Sequence, residues 1–336
     1  MHKRWCKKNI IGVMLFLHAP FCWAQAQWIN VDSVYAPLPM GVHVFKSTST
    51  INGRPSVAYY VSANLKNRAL IFDADTSSKR RLTPQQFFDK NNQPLLVVNT
   101  TFFSFATNQN LNAVVKNGRL VSYNVHTIAG RGKDTLTYRH PLGSAIGISK
   151  KRKADVAWLF TDSAKKKPWA LQWANGFIRD SIPALDFNTA VLNTSIINGH
   201  QGEIALSLKK WKVKTAVGGG PVLLQNGVVQ ISNNEELKFA GKAIDDKHPR
   251  TAMGYTADDR LIIMVVEGRN PGVAEGVSLI ELAHLLKELN CTEALNLDGG
   301  GSSCMLVNGK PTITVADKEG QRPIPAVFII KTTQKR

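Results

Sequence analysis

Acidic residues are the scarce class in this chain: 24 Asp and Glu stand against 42 Lys and Arg over 336 residues, a formal net charge of +18. Cysteine is scarcer still, with four, too few to scaffold a chain of this length with disulfides. No apolar run reaches the ~20 residues that span a bilayer as a helix. Low-complexity stretches, long linkers and fixed-period repeats are missing too, which excludes disordered, collagen-like and coiled-coil chains. With 43% hydrophobic and 20% charged residues, 25 Gly and 15 Pro, the composition is that of a soluble globular protein with length for a sizeable core.

Several familiar sites are also missing. The sequence holds no H-E-x-x-H, no paired-cysteine zinc pattern and no G-x-S-x-G elbow. Gly130-Arg131-Gly132-Lys133 runs into Asp134 and lacks P-loop spacing. The histidines are scattered, so no cofactor and no metal site is expected.

At the start, Met1–Lys8 is basic, Asn9–Trp23 is mostly apolar, and Ala24-Gln25-Ala26 supplies a small-x-small step. That order predicts a secretory signal peptide over 1–26, cleaved near Ala26, and a periplasmic or secreted product. The mature chain keeps 38 basic residues against the same 24 acids, a charge of +14. Of the cysteines only Cys291 and Cys304 remain, and a bridge and two buried thiols are both open.

The positive charge points to anionic partners: an anionic sugar-phosphate or polysaccharide, with peripheral contact with the cell envelope. Nucleic acid is not expected, because no helix-turn-helix, zinc-finger or RNA-binding signature accompanies the charge. The Lys150–Lys153 (KKRK) and Lys165–Lys167 runs sit beside turns and read as solvated surface.

Strand-like runs dominate: 56–61, 69–73, 95–99, 154–159, 222–224, 261–266, 294–297 and 326–331, rich in Val, Ile and Leu and bounded by Gly, Asn, Asp or Pro. Asn117-Gly118, Asn226-Gly227 and Asn308-Gly309 predict hairpins. Helices are few. A short one is expected over 83–89, with Thr83 as cap and Pro84 at its first position. A second is expected over 278–289, where Ser278 and Glu281 form a capping-box pair ahead of a broad leucine face. Strand 261–266, this helix and strand 294–297 suggest a crossover in a mixed sheet. The fold class expected is α+β: a single domain of mixed, strand-rich sheets with few helices and a site built from Gly-rich loops at strand ends. Residues 27–94 form a more variable front part and 95–331 the main body.

Four such strand ends stand out. ALNLDGGGSSCM (294–305) delivers Asp298 and then Gly299, Gly300, Gly301, Ser302 and Ser303; AVGGGPVLL (216–224) carries Gly218, Gly219 and Gly220. HPRTAMG (248–254) holds Arg250, and the strand after it ends in Glu267-Gly268-Arg269. VVNTTFFS (97–104) ends a strand at Asn99 and runs into two phenylalanines. Three glycines in a row exceed the needs of a tight turn, and successive backbone N–H groups there can cup an anion. Paired arginines suit phosphate oxygens, which a guanidinium binds through two donors at once.

NLDGGGSS, AVGGGPVLLQNG, HPRTAMG with IIMVVEGR, VVNTTFF and the late Arg322-Pro323-Ile324-Pro325 together resemble the phosphodiester glycosidase family over about 95–330. One position departs from its pattern: Thr100 stands where members usually carry glycine. The resemblance implies hydrolysis of a sugar-1-phosphodiester at the anomeric C–O bond, giving free sugar and a phosphomonoester. On that reading Asp298 is the carboxylate that attacks or stabilises the glycosyl cation, with Glu267 second, as a base for water or an arginine partner. Arg250 and Arg269 take the phosphate, the N–H groups of Gly218–Gly220 and Gly299–Gly301 complete the cradle beside Ser302, and Asn99 holds a sugar hydroxyl. Two other classes stay open: a non-catalytic envelope protein that binds anionic glycan or lipid, and a phosphodiesterase that cuts the P–O bond.

Overall fold

Three antiparallel sheets meet around one core in the computed structural model of this chain. The structure describes residues 26–78, 80–130, 137–164, 166–174 and 206–333, with the strand pieces Ile178–Arg179 and Leu185–Asp186. The signal-peptide segment up to residue 25 and most of 172–202 lie outside the described residues.

The largest sheet has eight strands, in the order Ile29–Asn30, Val42–Ser47, Ala58–Asn64, Arg260–Val266, Arg250–Thr256, Cys291–Asn296, Val222–Gln225 and Val228–Val229. A five-stranded sheet places Leu96–Asn99 between Met305–Val307 and Ala326–Thr332, with Leu70–Thr76 at its edge. A seven-stranded sheet is centred on Ala154–Phe160, Gly143–Ser149 and Val213–Gly218. Each of the eight strand runs expected from the sequence is present, because Val, Ile and Leu at alternating or continuous positions suit a pleated, buried surface. All three Asn-Gly pairs turn as expected. Asn117, Asn226 and Asn308 sit at φ 51°, 51° and 52°, each followed by a glycine at positive φ, the backbone a two-residue hairpin needs.

The mixed sheet is corrected. Every pairing within the three large sheets is antiparallel. The expected crossover exists in another form: Arg260–Val266 and Cys291–Asn296 run parallel to each other, but Arg250–Thr256 is inserted between them and pairs antiparallel with both. The Leu279–Glu288 helix makes the return. Its Ser278 side chain accepts from Glu281 N–H at 3.3 Å, and Ser278 N–H donates to Glu281 Oε2 at 2.8 Å. Such a cap is worth about 1 kcal/mol. The Pro84–Lys90 helix starts in the same way from Thr83 and Gln86.

The core lies where the sheets meet: Val44, Ile263 and Val265 from the first, Phe72 and Phe328 from the second, Ile146 and Trp158 from the third. Strands of the front part are built into it. Ala58–Asn64 pairs along its length with Arg260–Val266, and Leu70–Thr76 with Ala326–Thr332. Cys291 and Cys304 are separate buried thiols packed in different apolar clusters, with no bridge between them. Burial pushes both thiols up to about 12.

The architecture matters for function because antiparallel neighbours bring alternate ends to one edge. Arg250 pairs with Val266, and Ala252 with Asn296. The start of one strand and the ends of its two neighbours therefore meet, and the loops carrying Arg250, Glu267, Arg269 and Asp298 leave the sheet together.

Candidate functional site

Asp298 is fixed by its backbone before its side chain is considered. Leu297 N–H continues the ladder to Thr251 O at 2.8 Å, and Asp298 N–H donates to Thr100 O at 2.8 Å. The Asn99 amide donates to Asp298 O at 2.6 Å, while its oxygen accepts from Thr251 Oγ1 at 2.8 Å and Cys304 N–H at 3.1 Å. Asn99 is 0% exposed. It ties three strand ends together under Asp298 and presents no atom to a ligand, so the expected contact between Asn99 and a sugar hydroxyl is replaced by a positioning role. The departure at Thr100 adds a buried hydroxyl without a partner directly beneath the same backbone.

The glycines of the two triplets do something other than offer N–H groups. In Gly218–Gly220 all three donors are spent on protein: Gly218 on Ala113 O at 2.8 Å, Gly219 on Ser144 O at 3.0 Å and Gly220 on Asn296 O at 2.7 Å. The expectation that this triplet cups an anion fails for that reason. What the missing side chains provide is room. A Cβ on Gly219 would run into Asn296 O, and one on Gly220, at φ 113°, into Glu236, with Lys238 Cε at 2.6 Å. In the second triplet a Cβ on Gly299 would meet Pro249 O at 2.8 Å. One on Gly300 would meet Arg269 Nη2 at 2.9 Å, and one on Gly301 would strike the Arg322–Asp317 pair. Gly300 N–H donates to Pro249 O at 2.8 Å, which leaves this turn less donor-rich than its sequence suggests.

The bare backbone thus makes room for Arg269 over Gly300, Arg322 beside Gly301 and Lys238 against Gly220, and Arg322 and Lys238 act on the Asp298 carboxyl. Arg269 is exposed, lies over Gly300 and holds a left-handed backbone at φ 62°, an unusual conformation for a long side chain and one that clusters at functional sites. Arg250 is 3% exposed; its guanidinium donates to Val277 O at 3.0 Å and Asp246 O at 2.8 Å. Burial, aided by the nearby Arg269 charge, brings Arg250 down to about 10, still charged at neutral pH. Arg322 is held by Asp317 through two bonds of 2.6 and 2.8 Å. Lys238 lies against Gly220 with its ammonium 5.0 Å from the Phe102 ring centroid. Burial lowers the Lys238 pKa, opposed by the charges of Glu236 and Asp298. Among the described residues no carboxylate lies within ion-pair distance of Arg250, Arg269 or Lys238.

Asp298 responds to this setting. Burial raises its carboxyl from 3.8 to about 7, against the opposing pull of Ser302, Arg322, Gly299 N–H and Lys238. Ser302 Oγ is buried, has no other partner among the described residues, and faces the carboxyl. The residue as a whole is nonetheless only partly buried. His248, in the same HPR loop, is held below its usual pKa by burial and by Arg250 and Arg269.

Glu267 is tied to another segment. It is 5% exposed, and its Oε2 accepts from Thr314 N–H at 3.0 Å. Along its strand it alternates with Val266 and shares the side of Val265, which faces the central core. Among the described residues Glu267 forms no ion pair, and it anchors the loop after the Lys310–Pro311 strand.

Sequence reasoning missed Lys238, which follows an unremarkable Asn-Asn-Glu-Glu turn, and took Arg322 only as part of a motif. It also missed Asn112 and Asn296, buried amides that donate to Gly219 O at 3.1 Å and Gly220 O at 2.8 Å. A pocket of about 310 Å³ opens beside Lys238, walled by Phe102, Leu111, Val125, Ile128 and Phe239. The arrangement can bind an anion next to a carboxyl and place the anion's substituent against apolar side chains.

A model of the phosphodiester glycosidase family matches residues 92–331. The mouse N-acetylglucosamine-1-phosphodiester alpha-N-acetylglucosaminidase is 28% identical over 91 residues, 27% of this chain and 17% of that protein. The SPbeta prophage-derived uncharacterized protein YomE of Bacillus subtilis (strain 168) is 38% identical over 71 residues, 21% of this chain and 11% of its own length. The matched segments therefore span less than a fifth of these relatives. In fold, the chain is similar to the zebrafish N-acetylglucosamine-1-phosphodiester alpha-N-acetylglucosaminidase catalytic domain auto-inhibited by its pro-peptide, with a TM-score of 0.56 at 18% identity over 93% of this chain and 89% of that one. A hypothetical protein from Synechocystis gives a TM-score of 0.55 at 15% identity, over 91% of this chain and 68% of that one.

Proposed function

This chain belongs to the phosphodiester glycosidase family, and from that premise we propose that it hydrolyses the glycosidic C–O bond of a sugar-1-phosphodiester, such as an N-acetylglucosamine-1-phosphodiester or a related envelope glycan. The observation that carries the reading is the positive charge around the Asp298 turn: Arg322 and Lys238 act on its carboxyl, Arg269 lies over Gly300 and Arg250 beside Gly299, and among the described residues Arg250, Arg269 and Lys238 form no ion pair, so the turn has a place for an anion beside a carboxylate.

A phosphodiester bound there needs little protonation to leave. As the C1–O bond lengthens, its electron pair moves onto the phosphate oxygen, and Arg269, Lys238 and the Arg250 charge behind the turn stabilise that growing negative charge. Ionised Asp298 meets the positive charge on the sugar ring, either as electrostatic partner or as nucleophile. Where Asp298 acts as electrostatic partner, water adds at C1 and its carboxylate, poised near neutrality, accepts the proton; where it acts as nucleophile, water displaces the carboxylate from C1 and the proton passes to solvent. Asn99 and the glycine turn keep the carboxyl in place. Each lost phosphate donor should cost ~3 kcal/mol in the transition state, near a hundredfold in rate.

The reading includes export. The basic, apolar and small-residue order of the first 26 residues supports a cleaved signal peptide, and N-terminal sequencing of the secreted or periplasmic form should begin near Gln27.

Hydrolysis of UDP-N-acetylglucosamine in oxygen-18 water tests the chemistry. Label in free N-acetylglucosamine, absent with Asp298→Ala, supports C–O cleavage at this site. Label in phosphate assigns the protein to the phosphodiesterase class. Binding of the probe without any product would place it among non-catalytic binders.

A further inference from the structure

Most of the excess positive charge lies outside the Asp298 turn, and the fold collects part of it in one place. The segment 209–214 alternates exposed Lys210, Lys212 and Lys214 with Trp211 and Val213, which point into the apolar interior of the seven-stranded sheet. Around it the chain brings basic residues from distant parts of the sequence. Trp211 N–H donates to Pro168 O at 3.0 Å, which sets Lys167 alongside. Leu120 N–H donates to Lys166 O at 2.9 Å, and Gly118 N–H to Lys214 O at 2.7 Å, which joins Arg119 to Lys166 and Lys214. Ser149 pairs with Val213, so the turn bearing Lys150 and Lys151 continues the same surface.

Among the described residues none of Arg119, Lys166, Lys167, Lys209, Lys210, Lys212 and Lys214 has an ion-pair partner. The two nearby aspartates are engaged elsewhere: Asp155 Oδ2 accepts from Trp211 Nε1 at 2.5 Å, and Asp162 Oδ1 from Ala164 N–H at 2.9 Å. The contrast with other lysines is direct. Lys66 and Lys153 share Asp259, and Lys90 and Lys116 share Asp75. Lys150, Lys151, Lys166 and Lys167, from runs that read as ordinary solvated surface in the sequence, are here exposed borders of one field.

We propose that the surface formed by segment 209–214 of the seven-stranded sheet and the basic turns beside it is a docking surface for a linear polyanionic glycan. Charge and shape select that partner. Lys210, Lys212 and Lys214 follow an extended chain, so their charges stand in a row roughly 7 Å apart, the pattern of a strand of regularly spaced anions. A bilayer surface would call for several apolar side chains that enter the lipid; here Trp211 is 6% exposed, Trp169, the cross-strand neighbour of Lys210 on the same face, packs partly against the core under the Lys210 ammonium at 5.6 Å, and Trp173 beyond it is 41% exposed. Single-stranded nucleic acid would call for a series of open aromatic platforms, which buried Trp211 and the Lys210-covered Trp169 do not offer. The inference does not depend on the reaction at Asp298, because binding is its content.

The test uses the mature chain and dextran sulfate as probe, with neutral dextran and phosphatidylglycerol vesicles beside it. Lys210→Glu/Lys212→Glu should weaken dextran sulfate binding about tenfold or more and flatten its salt dependence. Arg68→Glu/Lys287→Glu, which changes the net charge equally at exposed positions elsewhere, should stay within about twofold of wild type. An unchanged melting temperature confirms that both variants fold. Equal weakening by the two variants would overturn the proposal, since net charge alone would then explain binding. Vesicle binding that depends on Lys210 and Lys212, without binding to dextran sulfate, would overturn it in favour of a membrane.

Discussion

Replacing Asp298 by Asn should make the protein more stable at neutral pH while removing its activity. The folded state holds this carboxyl at about 7, whereas an unfolded chain holds it near 3.8. A raised carboxyl means that the folded state disfavours the charge. No stability is lost below the unfolded value; stability declines as pH rises from there, and the full penalty is present above the folded value. Three units at 1.36 kcal/mol each give an upper figure of ~4 kcal/mol. The residue as a whole is only partly buried, so roughly half of that, about 2 kcal/mol, is the reasonable expectation after screening. For a chain of this size that corresponds to ~3 °C in melting temperature. The assay is a pair of melts, wild type and Asp298→Asn, at pH 4 and pH 8. The variant should gain only at pH 8, and UDP-N-acetylglucosamine hydrolysis should be lost. A variant less stable than wild type at pH 8, or a difference that ignores pH, would refute the reasoning: Asp298 would then be a structural anion satisfied by its arginines.

The same carboxyl sets a pH dependence of catalysis: kcat/KM for the probe should fall about tenfold per unit below pH ~7, and a fall above pH 7 instead would make Asp298 a general acid. Gly301→Ala should displace the Arg322–Asp317 pair and lower kcat tens-fold, with far-ultraviolet circular dichroism unchanged; full activity would remove Arg322 from the site. Asn99→Ala leaves Asp298 O and Thr251 without their partner, so it should cost about 2–4 kcal/mol in denaturant unfolding and lower kcat more than it raises KM. A pure KM effect there would restore a direct sugar contact.

Local features were legible in the sequence because they depend on neighbours along the chain. The caps at Thr83 and Ser278, the hairpins at Asn117, Asn226 and Asn308, and the apolar strand runs follow from hydrogen bonds, φ preferences and periodicity within a few residues. The motif around Asp298 was legible for a related reason. Three glycines after an apolar strand disturb local propensity enough to need an explanation, and the position of Asp298 at a strand end survives in the structure. The antiparallel insertion of Arg250–Thr256 between two parallel neighbours was not legible, since strand order depends on which buried faces fit together.

What each site residue does was likewise decided only by tertiary structure. Asn99 and Glu267 have the residue types of ligand contacts, yet their neighbours in space turn them into buried ties to Asp298 and Thr314. The glycine triplets have the composition of an anion cradle, but Gly218–Gly220 spend their donors on carbonyls from three other segments. Their lack of side chains instead admits Lys238, Arg269 and Arg322, residues that long-range packing alone brings to the Asp298 turn. The lysines of the seven-stranded sheet follow the same rule. The sequence determined how much positive charge the chain carries; the fold decided where it is left unpaired, because a charge finds its partner across space and not along the chain.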